Sequence, residues 1–332
     1  MSAGSTEPTD GMVSAQQEEP FFFPSGGDVL VGIVTHPLAE APDEGTSVDV
    51  LLASGGWLGL STGRNRSLVR LARQLAARGL CVLRFEYRGV GDSTGAVSRF
   101  ELGRPFVEDL RSALAGRPAG VRPRFLVGFC FGARTVLPVA SELDGVKGVV
   151  LVAAPVHDGG RRQQWEAHLS GQVTWKKVAA IGVRPSLLRD ALRVERRRFL
   201  IKYLRVKWST LMRRLPFLGE HHADPPVAST SFMEPLDRLL RQGIRVLFVF
   251  GTTDAALRDF NEAKIDTRLC RILQEHTSQI EIVEIEGDVH GLGRVHVQEA
   301  VNVTISEWIE RTWRGAVPHG VGPSIEVGER RG

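Results

Sequence analysis

Arg124-Phe125-Leu126-Val127-Gly128-Phe129-Cys130-Phe131-Gly132-Ala133 is the stretch on which the reading of the whole chain turns. An apolar run of strand length passes at once into Gly-x-Cys-x-Gly and then into a helix-compatible segment, Ala133 to Leu143. The order is strand, sharp turn, helix. So tight a turn brings the flanking backbone against neighbouring elements, and the positions two before and two after its tip favour a residue without Cβ. Gly128 and Gly132 stand there. Cys130, at the tip, is carried above the end of a sheet at the start of a helix, where the field favours negative charge. The pattern alone has a second reading, because the chain holds 36 glycines and a cysteine is commonly a small buried hydrophobe. The rest of the sequence decides between the two.

At 332 residues, 42% hydrophobic and 24% charged, the composition is that of a globular protein with room for two domains, or for one core carrying an insertion. The net charge of +4 is compatible with an acidic partner and demands none. No apolar run has the length of a transmembrane span, and the N-terminus lacks a basic region followed by an apolar core, so a cytoplasmic location is expected. Cys81, Cys130 and Cys270 show no metal-ligand spacing; neither a disulfide framework nor a zinc site is indicated, and no cofactor is expected.

Residues 1–19 are polar and rich in Ser, Thr, Gly and Pro, which predicts a disordered leader. Phe21 to Phe23 and Val29 to Thr35, around Gly26-Gly27-Asp28, predict a hairpin that opens the sheet. Val48 to Ala53 reads as a buried strand running into Ser54-Gly55-Gly56-Trp57. That Gly-rich turn is either a flexible loop or a source of backbone N–H groups for an oxyanion, and beside a nucleophile the second reading is preferred. Gly56 and Trp57 are the candidate donors there, with Phe131 supplying the other. Asn65 to Arg78 carries Leu68, Leu71, Ala72 and Leu75 at helical spacing, Gly79 ends it, and Leu80 to Phe85 is the next strand. Strand, helix and strand alternate as in a parallel sheet. Cys81 is then a core residue. The loop after Phe85 lacks the third glycine and the attached helix of a dinucleotide site, so that possibility is set aside.

Tyr87-Arg88-Gly89-x-Gly91-x-Ser93 together with Gly128-x-Cys130-x-Gly132 resembles the α/β-hydrolase superfamily, in particular its serine-aminopeptidase-like and exosortase-associated hydrolase branch, over about residues 25–155 and 240–312. The resemblance implies an α/β fold with a mostly parallel eight-stranded sheet flanked by helices and a helical cap insertion. Cys130 departs from the usual Ser, although dienelactone hydrolases use a thiol on the same fold. The order of the family places an acid and then a histidine past later strands. Ile244 to Phe250 ends in Gly251-Thr252-Thr253-Asp254, and Ile280 to Ile285 ends in Glu286-Gly287-Asp288-Val289-His290. Each residue alone is an ordinary loop residue; the three in order imply a triad of Cys130 as nucleophile, His290 as general base and Asp254 orienting the imidazole. Asp259 and Asp288 are spare carboxylates for the same position. The expected chemistry is cleavage of an ester or thioester through an acyl-cysteine. A transacylase moving an acyl group from a carrier protein or thioester to an amine or alcohol is the alternative, because a thioester yields to amines and thiols more readily than to water. A non-catalytic binding module on a hydrolase scaffold is the third reading.

Residues 157–235 separate the two halves of this core, 20–156 and 236–314, and are expected to form a basic helical cap. Arg184, Arg189, Arg193, Arg196, Arg197, Arg198, Lys202, Arg205, Lys207, Arg213 and Arg214 face few acidic residues there. They are either a solvated face or a patch for an acyl carrier protein, an anionic membrane surface or an acidic substrate. Nucleic acid is not expected, since no reading motif accompanies the charge. His157, His168, His221 and His222 lack zinc spacing. Val297 to Trp313 predicts a closing helix, and residues 315–332 a disordered tail.

Overall fold

The computed structural model describes residues 17–37, 48–55, 60–96, 101–116, 123–158, 228–265 and 267–314. Eight strands form one sheet: β1 (Glu18–Ser25), β2 (Asp28–Thr35), β3 (Val48–Ala53), β4 (Leu80–Phe85), β5 (Pro123–Phe129), β6 (Gly148–Val152), β7 (Arg245–Gly251) and β8 (Ile280–Ile285). Their order is β1-β2-β4-β3-β5-β6-β7-β8. The hairpin β1–β2 and the β2–β4 pair are antiparallel, and every later pair is parallel. This is the expected α/β-hydrolase fold.

The strand sequences explain the layering. β6 is buried at all five positions and β7 at all but its first, as fits strands covered on both faces. Phe125, Leu126, Val127 and Phe248 to Phe250 are fully excluded from water, and burying one such side chain is worth about 2 kcal/mol. α1 (Ser67–Ala76) covers the sheet with Leu68, Leu71, Ala72 and Leu75, the residues that carry its apolar stripe. α2 (Val107–Ala115), α3 (Phe131–Ala140), α4 (Thr230–Arg241), α5 (Ala255–Ala263), α6 (Thr267–Glu275) and α7 (Val295–Trp313) complete the described helices. In α7, Val301, Ile305, Trp308 and Ile309 face inward as their spacing predicts.

Two boundaries differ from the sequence reading. Glu18 and Glu19, within the expected leader, belong to β1; Glu18 is held there by Arg84 at 3.1 Å and Arg73 at 2.9 Å. On the far side of the insertion, α4 begins at Thr230, and Phe232, Met233, Leu236, Leu239 and Leu240 on it are core residues. Residues 1–16, 315–332 and 159–227, with the cationic residues of the expected cap, lie outside the described residues. All the described residues fall in one compact unit. No helix among them is long and apolar enough to cross a membrane.

The topology fixes where a site can form. From β3 the chain moves to β4 on one side and then to β5 on the other, so the crevice at the carboxyl ends of β3 and β5 is a topological switch point, where ligands bind in open α/β sheets. Ala53 pairs with Gly128, and Phe129 with Val152. The next residue after Phe129 is Cys130.

Candidate active site

Cys130 stands between the last residue of β5 and the first of α3, with φ 48° and ψ −108°. A residue with a Cβ rarely holds positive φ, and such strain persists only where the surroundings impose it. Here the Cys130 amide donates to the Val152 carbonyl at 2.8 Å, and the Cys130 carbonyl accepts from the Ala133 amide at 3.0 Å. The two glycines make room. A Cβ on Gly132 would lie 2.3 Å from the Ala53 carbonyl oxygen, and one on Gly128 2.5 Å from the Ala133 backbone. Phe131 is the first residue of α3, directly after Cys130.

The histidine arrives from the opposite end of the chain. His290 lies in the loop between β8 and α7, and its Nε2 is 3.1 Å from Cys130 Sγ, 160 residues away in sequence. The hydrogen bond to Cys130 and the negative charge there push the imidazole up to about 9; desolvation opposes this, and Asp254 and Asp288 add to it more weakly. The two contributions of Cys130 outweigh desolvation there. The imidazole thus holds its proton more tightly than a free histidine does.

Asp254 follows β7 and immediately precedes α5. The structure brings it to His290 by a route the sequence does not indicate: Oδ1 accepts from the His290 backbone amide at 3.1 Å, and Oδ2 from the Gly251 amide at 2.8 Å. Among the described residues no hydrogen bond runs from it to the imidazole ring. It holds the loop that carries the ring, and its charge acts on the ring through space. Burial pushes its carboxyl up to about 6, against the two amides that stabilise the anion; the neighbouring Asp288 also raises it.

Of the two spare carboxylates, Asp288 bonds to the histidine loop and Asp259 lies beside His157. Asp288 accepts from the Gly291 amide at 2.7 Å, so adjacent amides of the histidine loop are held by different carboxylates. Asp259 lies 3.6 Å from His157, and burial raises its carboxyl despite His157 and Arg258. The loop's carbonyls are held as well. Arg64 donates to Gly291 at 2.9 Å, and Gln298 of α7, fully buried and itself bonded by Arg70, donates to Leu292. Arg64 and Gln298 escape sequence reasoning because nothing near either one marks it.

Arg134, one turn into α3, is also unmarked. It is 2% exposed and donates to the Pro155 carbonyl, Ser229, Ser231 and Asp158, residues that flank the insertion on both sides. Burial lowers its guanidinium to about 10, with Asp158 opposing. The expected donors Gly56 and Trp57 lie outside the described residues, while Gly55 is within them, and a Cβ there would lie 3.6 Å from the Cys130 Cβ. Among the described residues no group of three or more His, Cys, Asp or Glu is arranged to hold a metal ion.

Comparison with known proteins agrees with this architecture. The family model described as "Alpha/beta hydrolase family" matches residues 50–292, and the chain belongs to that family. The chain is similar in structure to an esterase domain from Rhodothermus marinus, with a TM-score of 0.50, 17% identity and coverage of 89% of this chain and 99% of that one. An esterase of Pyrococcus furiosus matches with a TM-score of 0.52 at 14% identity, over 94% and 96% of the two chains. A dienelactone hydrolase from Anabaena variabilis matches with a TM-score of 0.51 at 16% identity, over 89% and 98%. At these identities the likeness establishes the fold. No curated protein matches by sequence.

Proposed function

We propose that this protein cleaves an ester or thioester through an acyl intermediate on Cys130, with His290 as the base and Asp254 as the acid that places and charges it. Within the family we place it in the serine-aminopeptidase-like and exosortase-associated branch. The observation that carries the reading is the 3.1 Å approach of Cys130 Sγ to His290 Nε2 across 160 residues of sequence, with the sulfur on a strained turn. Structural cysteines sit inside strands or helices; this one caps a helix at positive φ where a reacting carbon could reach it.

The steps follow from where the proton lies. The sulfur, its proton held on His290, attacks the acyl carbon and forms an S–C bond as the carbonyl π pair moves to oxygen. Backbone N–H groups stabilise that oxyanion, with Phe131 as the donor from the start of α3 and Gly56 or Trp57 as the second donor. The intermediate collapses, the bond to the leaving oxygen or sulfur breaks, and His290 gives its proton to the leaving group. The acyl group is then a thioester on Cys130. His290, neutral again, takes a proton from water as the water oxygen attacks; the acid departs and the proton returns to the pair.

Intact-protein mass spectrometry after mixing with p-nitrophenyl esters and acyl thioesters tests this. An adduct mapped to Cys130 and discharged by water is the expected result. An adduct that persists until an amine is added would reassign the protein to acyl transfer, and no adduct would leave a binding module.

A further inference from the structure

Glu86 and Tyr87 are polar, only 6% and 0% exposed, and take no part in the steps above. They stand side by side where the chain leaves β4, the strand next to β3. The Tyr87 hydroxyl donates to the Ser54 carbonyl at 3.3 Å, just beyond the end of β3. Glu86 Oε1 accepts from the Ser61 amide at 3.2 Å and from the Ser61 hydroxyl at 3.1 Å, and Oε2 accepts from the Asp92 amide at 2.8 Å. Two adjacent side chains thus hold the two ends of one connection, the one that leaves β3 beside the nucleophile.

That connection touches the elbow at its near end. A Cβ on Gly132 would lie 2.6 Å from the Ser54 carbonyl oxygen, and Gly55 is the residue whose Cβ position lies 3.6 Å from the Cys130 Cβ. A peptide unit is planar and trans. Fixing the Ser54 carbonyl therefore fixes the Gly55 N–H on the opposite edge of the same plane. The Tyr87 ring cannot easily turn away, since Phe85, Phe106 and Phe131 meet it edge-on with centroids at 5.1, 5.4 and 6.0 Å. Glu86 is equally committed, a buried carboxylate satisfied by three donors, and such networks hold one arrangement rigidly.

We propose that Tyr87 and Glu86 are positioning residues for the acylation of Cys130, holding Ser54 and Gly55 beside the sulfur and with them the start of the connection from which the second oxyanion donor is proposed to come. The proposal rests on the acyl-cysteine reading above and adds to it the residues that set its oxyanion side.

The test compares two reactions of one sulfur. Acylation by a p-nitrophenyl ester, followed as the burst of p-nitrophenol, passes through an oxyanion. Alkylation by iodoacetamide, followed by intact mass, displaces iodide at a saturated carbon and forms none. Tyr87→Phe keeps the ring and removes the hydroxyl; Glu86→Gln keeps the shape and removes the charge. Loss of an oxyanion donor costs ~10²–10³ in rate, and a displaced donor less, so each variant is expected to acylate about tenfold more slowly while alkylation stays within about twofold. Equal losses in both reactions, or no loss in acylation, would remove that residue from the proposal. A wild-type protein that is alkylated at Cys130 but gives no burst would overturn the acyl-cysteine reading itself, and the proposal with it.

Discussion

At Cys130 the backbone does the placing, whereas at His290 side chains do it. The sulfur sits where it does because β5 ends, two glycines let β3 and α3 close in, and the residue between them is forced to φ 48°. The imidazole sits where it does because Asp254 and Asp288 take the amides of His290 and Gly291, while Arg64 and Gln298 take the carbonyls of Gly291 and Leu292. A backbone device is indivisible, and one added methyl group breaks it. A set of side-chain bonds is divisible, so its members should fail one at a time and by smaller amounts.

The largest effect expected is chemical. Cys130→Ala should lower turnover of an activated ester by ~10⁴-fold or more, since removing a nucleophile leaves only binding and oxyanion stabilisation. Steady-state kinetics with p-nitrophenyl acetate measures it.

The largest structural effect should come from the elbow. Gly132→Ala places a Cβ 2.3 Å from the Ala53 carbonyl oxygen. The obstacle is backbone in the centre of the sheet, so relief is expensive, on the order of 4 kcal/mol. At this size that is a drop of about 6 °C in melting temperature, visible by circular dichroism.

At the histidine loop, Asp254→Asn should reduce kcat by ~10²–10⁴-fold, because both the charge beside the ring and one well-held acceptor are lost. It also carries a pH signature. Folding raises the Asp254 carboxyl from 3.8 to about 6, so the protonated group favours the folded chain. That contribution is complete below pH ~4 and lost as the pH rises through 6. Wild type should therefore lose stability relative to Asp254→Asn between pH 4 and 7, read from urea unfolding at both pH values.

The smallest effect belongs to Arg64. It is exposed and supplies one of the four bonds, so Arg64→Ala should lower kcat about two- to fivefold with KM unchanged. A loss as large as that of Asp254→Asn would erase the contrast between the two regions.

The same contrast explains what could be read in advance. Gly-x-Cys-x-Gly is visible because a tight backbone approach leaves glycine at fixed offsets, and Asp254 and His290 are visible because each follows a segment that reads as a strand, apolar from Val246 in β7 and alternating with Glu in β8. Arg64 and Gln298 are not, because a side chain that reaches a carbonyl 227 residues away, or one six residues back in the preceding loop, needs no local pattern. That Asp254 bonds to the His290 amide and not the ring is a matter of a few ångströms, below what spacing can express. α2 carries only Asp109, Leu110 and Ala113 as buried residues, too few for a clear apolar stripe. Its Asp109 nevertheless holds Arg88 of the Tyr87–Ser93 turn. Asp259 has the sequence position of a spare acid, and only the fold shows it 3.6 Å from His157.

The proton shared between sulfur and imidazole is the point on which the account rests, and titration of the His290 ring by NMR addresses it directly. The account predicts a midpoint near 9 in the wild-type protein and a fall toward the ordinary histidine value of about 6.5 in Cys130→Ala, where the cause of the shift has been removed. A midpoint near the ordinary value in both proteins would contradict it.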